Sequence, residues 1–289
     1  MGKIATTVEE QIQMLKDRKM SIDLGDKKAK EILLDIGYYR LGFYWNPFEI
    51  DEYHNFEIDT KFSDVVKLYY LDADLKHLLS KALNRIEINF KTQLIYYVSN
   101  KYNRDPIWFV NKKIVSKDFV SGFNDIYNKK FIANNNAIKK HHNKHPNDKY
   151  APAWKTLEYL TLGSIIKLYL SISNKNLQEK IAHEYNIKSL KVFENYIQTI
   201  LFIRNICAHS DLLFDSYTPM GIKSSPMVNI ENNKRHCLAS SIEVINYFLS
   251  KISKNRANEL EGEVNYLFVS FYNNKKIKEI IQEKIGHSY

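Results

Sequence analysis

The chain has 289 residues, of which 44% are hydrophobic and 26% charged, the balance of an ordinary globular protein. It contains only 9 glycines and 6 prolines, whereas folds rich in β-structure need many such turn residues. The composition therefore predicts an all-α protein.

The formal net charge of +9 favours a polyanionic partner such as nucleic acid, because neutralising phosphates releases counterions. Lys, Asn, Ile and Tyr are all abundant, however, and an AT-rich genome would produce the same basic excess whatever the function. The charge alone does not decide between these two explanations.

Two cysteines, Cys207 and Cys237, form neither a disulfide framework nor a metal-binding motif, and we expect no cofactor. Cys207 lies in an apolar run, which predicts a small buried side chain. The first residues, MGKIATTVEEQIQ, lack the apolar core of a signal peptide, and no stretch approaches the roughly 18 apolar residues of a membrane span. These features predict a cytoplasmic protein without membrane contact.

Apolar residues at helical spacing cover most of the chain. The capping box Thr7-Val-Glu-Glu10 predicts the start of a first helix, and a second is predicted from about Asp26 to Gly37. The further predicted helices are one or two over 61–100, 116–132, a helix begun by Pro152 with Gly163 in its middle, 175–185, 189–213 and a last set from about Arg235 to the end. We expect an N-terminal helical region of residues 1–60 and a helical domain of residues 61–289, unless the two form one continuous unit.

Residues 37–48, GYYRLGFYWNPF, are dense in aromatic side chains around Arg40. One interpretation is a packed hinge between two helical units. The other is a platform on which RNA bases stack, with Arg40 as an RNA contact.

Residues 133–150 are polar and basic, which predicts a surface loop or a frayed helix end. We expect this segment to contact RNA through its interleaved lysines and histidines, Lys139, Lys140, His141, His142 and Lys144. The histidines also suggest a metal site, but no carboxylate or cysteine completes one, so we expect no bound metal.

The segment LFIRNICAHSDLLFD, residues 201–215, combines an apolar helix with polar residues that have no place in a core. On a helical wheel, Arg204 falls within the apolar stripe of Phe193, Ile197 and Ile200, while Asn205 and His209 lie one turn apart on its flank. An arginine does not deprotonate in proteins, so a buried Arg204 needs a carboxylate, a wet cleft or an anionic ligand. The candidate carboxylates are Glu87, Glu158 and Glu194.

A buried ion pair would account for Arg204 but leaves Asn205 and His209 unexplained. A cation for phosphate charge, together with a histidine that titrates near neutrality, is what RNA cleavage without a metal requires. The three side chains therefore predict a catalytic site.

The motif RNICAH resembles the R-x4–6-H motif of the HEPN superfamily, helical domains many of which are ribonucleases. Five blocks also occur in the order found in the Abi-like abortive-infection proteins, the AbiD/AbiF group, over residues 6 to 215: TTVEEQIQMLKDRKMSI, ILLDIGYYRLGFYWNPF, RIEINFKTQLIYYVS, PAWKTLEYLTLGSIIKLY and RNICAHSDLLFD. The resemblance implies a HEPN-type helical bundle, a role in phage defence or a toxin-like system, and a composite ribonuclease site across a homodimer. The usual motif has a basic residue three positions after the histidine, where this chain has Leu212.

On this interpretation His209 is the general base or general acid, Arg204 holds the scissile phosphate, and Asn205 orients one or the other. Asp211 has a supporting position beside them. We further expect Glu87 to pair with Arg204 while Lys91, one turn away, adds phosphate affinity; the alternative is an exposed salt bridge between Glu87 and Lys91.

Two other functions fit the same residues. One is an RNA-binding protein that does not cut and forms a complex with a structured RNA in a defence or toxin–antitoxin system. The other is a sensor or scaffold whose helical surface binds a phage protein, which no specific feature of the sequence supports.

Overall fold

The computed structural model describes residues 4–209 and 211–287, and over this range the protein is all-α, with isolated β-bridges but no strand. Fourteen α-helices lie in the described residues: α1 Val8–Asp17, α2 Asp26–Ile36, α3 Tyr38–Trp45, α4 Phe62–Lys101, α5 Lys117–Ile126, α6 Lys129–Asn134, α7 Asn136–Lys144, α8 Ala153–Thr156, α9 Leu162–Ser171, α10 Lys175–Glu184, α11 Leu190–His209, α12 Leu238–Ile252, α13 Lys254–Val269 and α14 Lys275–Lys284. None of them combines the length and the apolar character needed to cross a membrane.

The predicted start of α1 and end of α2 are confirmed. Thr7 and Glu10 form the reciprocal capping box, in which the Thr7 hydroxyl accepts from the Glu10 amide at 3.2 Å and the Glu10 carboxylate accepts from the Thr7 amide at 2.7 Å. Gly37 has a φ of +92°, a value that costs glycine no steric strain, and it lets α3 begin immediately after α2.

The aromatic segment 37–48 forms α3 and a short 3₁₀ turn. Tyr44, Trp45 and Phe48 are buried in the core, which favours the hinge interpretation. Tyr39 is 82% exposed and lies edge-to-face with Phe43 at 5.3 Å between ring centroids. One side of α3 is thus packed, while the other presents aromatic rings to solvent.

The helix α4 organises the molecule. Its 40 residues form one helix rather than two, about 60 Å long at the usual rise per residue. It packs against α3 at its start and against α11, α12 and α13 along its length. The buried side chains it contributes belong to one hydrophobic core that runs from Ile12 to Ile285.

Three helix predictions are wrong in detail. In two of them a side-chain N-cap begins a new helix inside the predicted one, and in the third a tertiary contact holds the chain just beyond the helix end. The segment 116–132 breaks before α6, where the Asn128 side chain accepts from the Phe131 amide at 3.0 Å. The helix from Pro152 ends after one turn, and α9 begins anew at Thr161, whose hydroxyl accepts from the Ser164 amide at 3.2 Å.

Gly163 accordingly lies in the first turn of α9 rather than in mid-helix, with the side chain of Leu201 3.8 Å from the position of a Cβ. The third error is at α11, which ends at His209 instead of Leu213.

The segment 133–150, for which we expected a surface loop or a frayed helix end, is a regular helix over residues 136–144. It contains α7, because Ile138 and His141 are buried one turn apart and give this basic stretch an inner face. The polar composition did not predict this helix, because only two of its side chains, Ile138 and His141, are buried.

Candidate active site

The side chain of Arg204 extends from α11 towards α4 and pairs with Glu87. The Arg204 Nε lies 3.3 Å from Glu87 Oε2, and the two side chains are 32% and 13% exposed. Of the three candidate carboxylates, Glu87 is therefore the partner. Arg204 lies at the edge of the buried face rather than in its middle, because Ile203 and Ile206 are the residues of this turn that are buried in the core.

Glu87 serves two cations. Its Oε1 lies 2.9 Å from Lys91 Nζ, and this ammonium also donates to the backbone carbonyl of Glu158 at 3.4 Å. Lys91 is only 9% exposed at its side chain, so the pair is not an exposed surface salt bridge. Two cations share one carboxylate, which leaves a net positive charge at the junction of the helices.

A cleft of about 140 Å³ opens at this junction, and it is lined by Ser80, Leu83, Asn84, Glu87, Arg204, Cys207 and Ala208. Arg204 is the cation that reaches solvent there, since Lys91 is buried. Cys207 is half-buried, and burial raises the pKa of its thiol to about 11, so the thiol is protonated at neutral pH. The cleft thus offers one cation and no thiolate nucleophile.

Asn205 and His209 lie on a different side of α11 and are both exposed. Residues five apart project about 140° apart around an α-helix, so Arg204 and His209 leave α11 in divergent directions. Asn205 lines a second cavity of about 240 Å³ with Phe202 and Met220. A single copy of the chain therefore does not bring all three predicted catalytic side chains to one point.

Hydrogen bonds tie residues 211–214 to α11 and to α4. The Asp211 amide donates to the Ile206 carbonyl at 3.2 Å, Asp211 itself is exposed, and Leu212 is half-buried. The amides of Leu213 and Phe214 then donate to one carboxylate oxygen of Asp72, at 3.0 and 2.6 Å. This capture is the physical reason why α11 ends four residues earlier than predicted.

Asp72 and Lys76 are the polar residues that the sequence reasoning missed. Asp72 is fully buried, and its other oxygen accepts from the Tyr44 hydroxyl at 2.7 Å and lies 2.6 Å from Lys76 Nζ. The signal was present, because Asp72 interrupts the apolar face of α4 as Arg204 interrupts that of α11. On α4 a polar stripe at four-residue spacing, Asp72, Lys76, Ser80 and Asn84, leads to Glu87.

The α7 side chains that we expected to contact RNA divide into two groups. Lys139, Lys140 and Lys144 are exposed. His141 is buried, with Nε2 3.1 Å from Asp148 Oδ2, so its prediction as a surface contact is wrong: the ring packs inward as part of the anchor of α7.

His142 is half-buried, and its Nε2 lies 2.8 Å from the Tyr127 hydroxyl. Within the described residues, no three potential metal ligands of the His, Cys, Asp and Glu types are grouped closely enough to hold an ion. Arg40, the remaining predicted RNA contact, is exposed on α3 one turn before Tyr44.

Comparison with known proteins decides the family. A model of the Abi-like proteins matches residues 31–215, a range that begins in α2 and ends just after the turn captured by Asp72. The chain belongs to the Abi-like protein family. Membership of the Abi-like family suggests a role in abortive-infection phage defence. No curated protein and no solved structure matches the chain.

Proposed function

We propose that this Abi-like protein is a metal-independent endoribonuclease of the HEPN type that acts in abortive-infection defence. The observation that supports it best is the placement of Arg204 and His209. One is held by Glu87 in a cleft and the other is exposed at the end of the same helix. Such a pair supplies a fixed cation for phosphate and an imidazole accessible to substrate.

In the proposed reaction the ribose 2′-oxygen attacks the adjacent phosphorus. The bond from O2′ to phosphorus forms, the bond from phosphorus to the 5′-oxygen breaks, and the products carry a 2′,3′-cyclic phosphate and a 5′-hydroxyl. His209 takes the 2′ proton or protonates the leaving oxygen. Arg204 stabilises the charge that develops on the phosphate, and Asn205 orients the phosphate or the imidazole.

We further propose that the working site is composite and lies across a homodimer. Arg204 and His209 diverge within one chain, so a second copy that packs on α11 can bring its own His209 towards Arg204. Leu201 and Phe202, which are only half-buried, lie along the same exposed side of α11 as Asn205. Two copies related by a twofold axis would cover this apolar strip and complete two sites at once.

The test is a cleavage assay on mixed cellular RNA in the presence of EDTA, with the wild type, His209→Ala and Arg204→Ala. Each substitution is expected to reduce cleavage at least about 100-fold, the scale of losing a general acid–base group or a charge-stabilising donor. His183→Ala and Arg104→Ala are matched controls, because both remove exposed side chains outside the site and should leave cleavage unchanged.

Mixing the two inactive variants tests the composite site. A heterodimer of Arg204→Ala with His209→Ala retains one intact arginine facing one intact histidine, so part of the activity should return. No recovery in a verified heterodimer would contradict pairing of Arg204 and His209 from opposite chains. If even the wild type fails to cut while RNA co-purifies with it, the alternative of a non-cleaving RNA-binding protein replaces the enzyme.

A further inference from the structure

Asp72 joins three parts of the molecule through one carboxylate. Its Oδ1 accepts from the amides of Leu213 and Phe214, and its Oδ2 accepts from Tyr44 of α3 and pairs with Lys76 of α4. A buried carboxylate is costly unless it is paired and hydrogen-bonded, and Asp72 is fully buried with four donors around it. An apolar side chain at this position would avoid the free-energy cost of burying a carboxylate. Packing alone therefore does not explain why the residue is an aspartate.

Asp72 binds the segment that directly follows α11 and the candidate catalytic residue His209. His209 is the last residue of α11, where helices fray unless their ends are tied down. Four residues later Leu213 is bound to Asp72, and both Leu213 and Phe214 are completely buried. The position of the last turn of α11, and with it the origin of the His209 side chain, therefore depends on this anchor.

We infer that Asp72 is a positioning residue that fixes the chain after His209 and so holds the imidazole in place. As regards catalysis, this inference rests on the proposed ribonuclease function. Asp72 has no access to a substrate, because the core, Tyr44 and Lys76 surround it. It acts only through the geometry of the turn, and its loss should lower kcat far more than it raises KM.

The experiment compares Asp72→Asn with Asp64→Asn. Asp64 is a matched control on the same helix, since it is almost fully buried, pairs with Lys67 at 3.0 Å and accepts from Asn274 at 3.0 Å, but does not contact the turn. We expect Asp72→Asn to lower kcat about 10- to 100-fold with KM little changed, whereas Asp64→Asn keeps kcat near the wild-type value. Assays are run below the melting temperature of both variants, so that loss of folded protein is excluded.

Two measurements do not depend on cleavage. Amide hydrogen exchange at Leu213 and Phe214 should accelerate in Asp72→Asn only. The His209 ring signal, assigned in histidine-labelled protein by its absence from His209→Ala, should shift or broaden in Asp72→Asn and stay in place in Asp64→Asn. Equal effects of the two aspartate variants on kcat and on the ring signal would overturn the inference.

The outcomes separate this inference from the proposed function. If the wild type does not cleave RNA, the ribonuclease proposal fails, and the ring signal of His209 alone decides whether Asp72 positions it. If the wild type cleaves and Asp72→Asn cleaves equally well, the positioning role fails and the ribonuclease stands. Should Asp72→Asn not fold, Tyr44→Phe takes its place, because it removes one donor to the same carboxylate; an unmoved His209 signal there overturns the inference.

Discussion

The end of α11 and the helix α7 are built from the same kinds of side chain, but they place them differently. In α7 the imidazole of His141 faces inward and contacts Asp148, and the cations Lys139, Lys140 and Lys144 extend into solvent. In α11 the arrangement is reversed. Arg204 is held at a helix junction by Glu87, and the imidazole of His209 is exposed.

This difference distinguishes a histidine that stabilises the fold from one that is accessible to a substrate. A buried histidine with a carboxylate partner stabilises a helix but has no access to a substrate. An exposed histidine can act on a substrate when a cation held in a fixed position, as Glu87 holds Arg204, meets the same phosphate. Both helices combine histidine with lysine or arginine, and the partners of these side chains determine whether each one anchors the fold or stays exposed.

The largest effect is expected when the carboxylate that holds Arg204 is removed. Glu87→Gln leaves Arg204 and the nearly buried Lys91 without a counter-charge, so we expect the free energy of unfolding to fall by about 2 kcal/mol and kcat/KM to fall at least about 10-fold. Chemical denaturation and cleavage kinetics measure the two effects. The control is Glu279→Gln, which breaks an exposed pair with Lys275 and should cost no more than about 0.5 kcal/mol.

An unaltered enzyme in Glu87→Gln would contradict the role of Glu87 in holding Arg204. A loss of stability without any loss of cleavage would leave Glu87 as a purely structural residue.

The lysines of α7 should show a different, weaker effect. Replacing Lys139 and Lys140 with alanine is expected to weaken RNA binding and to lower the slope of log affinity against log salt by about 1.4. The kcat should stay unchanged, because the two lysines are proposed to contact phosphates away from the reacting bond. The measurement is a salt titration of RNA binding with the His209→Ala protein. The control is the double variant Lys112→Ala/Lys113→Ala, which removes two exposed lysines that are neighbours in the chain but lie outside α7. If both double variants change the salt slope equally, α7 is not part of the RNA-binding surface.

The smallest effect concerns the pH dependence of stability through His141. Burial lowers the pKa of His141 below its ordinary value of 6.5, and Lys155 lowers it further. The unfolded chain then takes up a proton at a higher pH than the folded one, so this contribution to stability is present above about pH 6.5 and is lost as the pH falls below it.

His141→Gln should therefore make the decline of Tm between pH 7.5 and 5 shallower, whereas His183→Gln, at an exposed position, should not. A decline of the same steepness in His141→Gln would show that the buried imidazole does not titrate differently in the folded protein.

The sequence by itself determined the all-α fold, the capping box of α1, the end of α2 at Gly37 and the need of Arg204 for a carboxylate, a wet cleft or an anionic ligand. These follow from local rules, since caps, glycine conformation and the cost of a buried charge do not depend on distant residues. Glu87 was one of three candidate carboxylates, and the structure selected it.

Only the tertiary structure decided the rest. Asp72 lies about 140 positions before the turn that it captures, so nothing local indicated that α11 ends at His209. Likewise the composition of α7 does not indicate that His141 faces inward, because burial depends on what packs against the helix. Partners brought together by the fold determine which polar side chains anchor the structure and which remain exposed to a substrate.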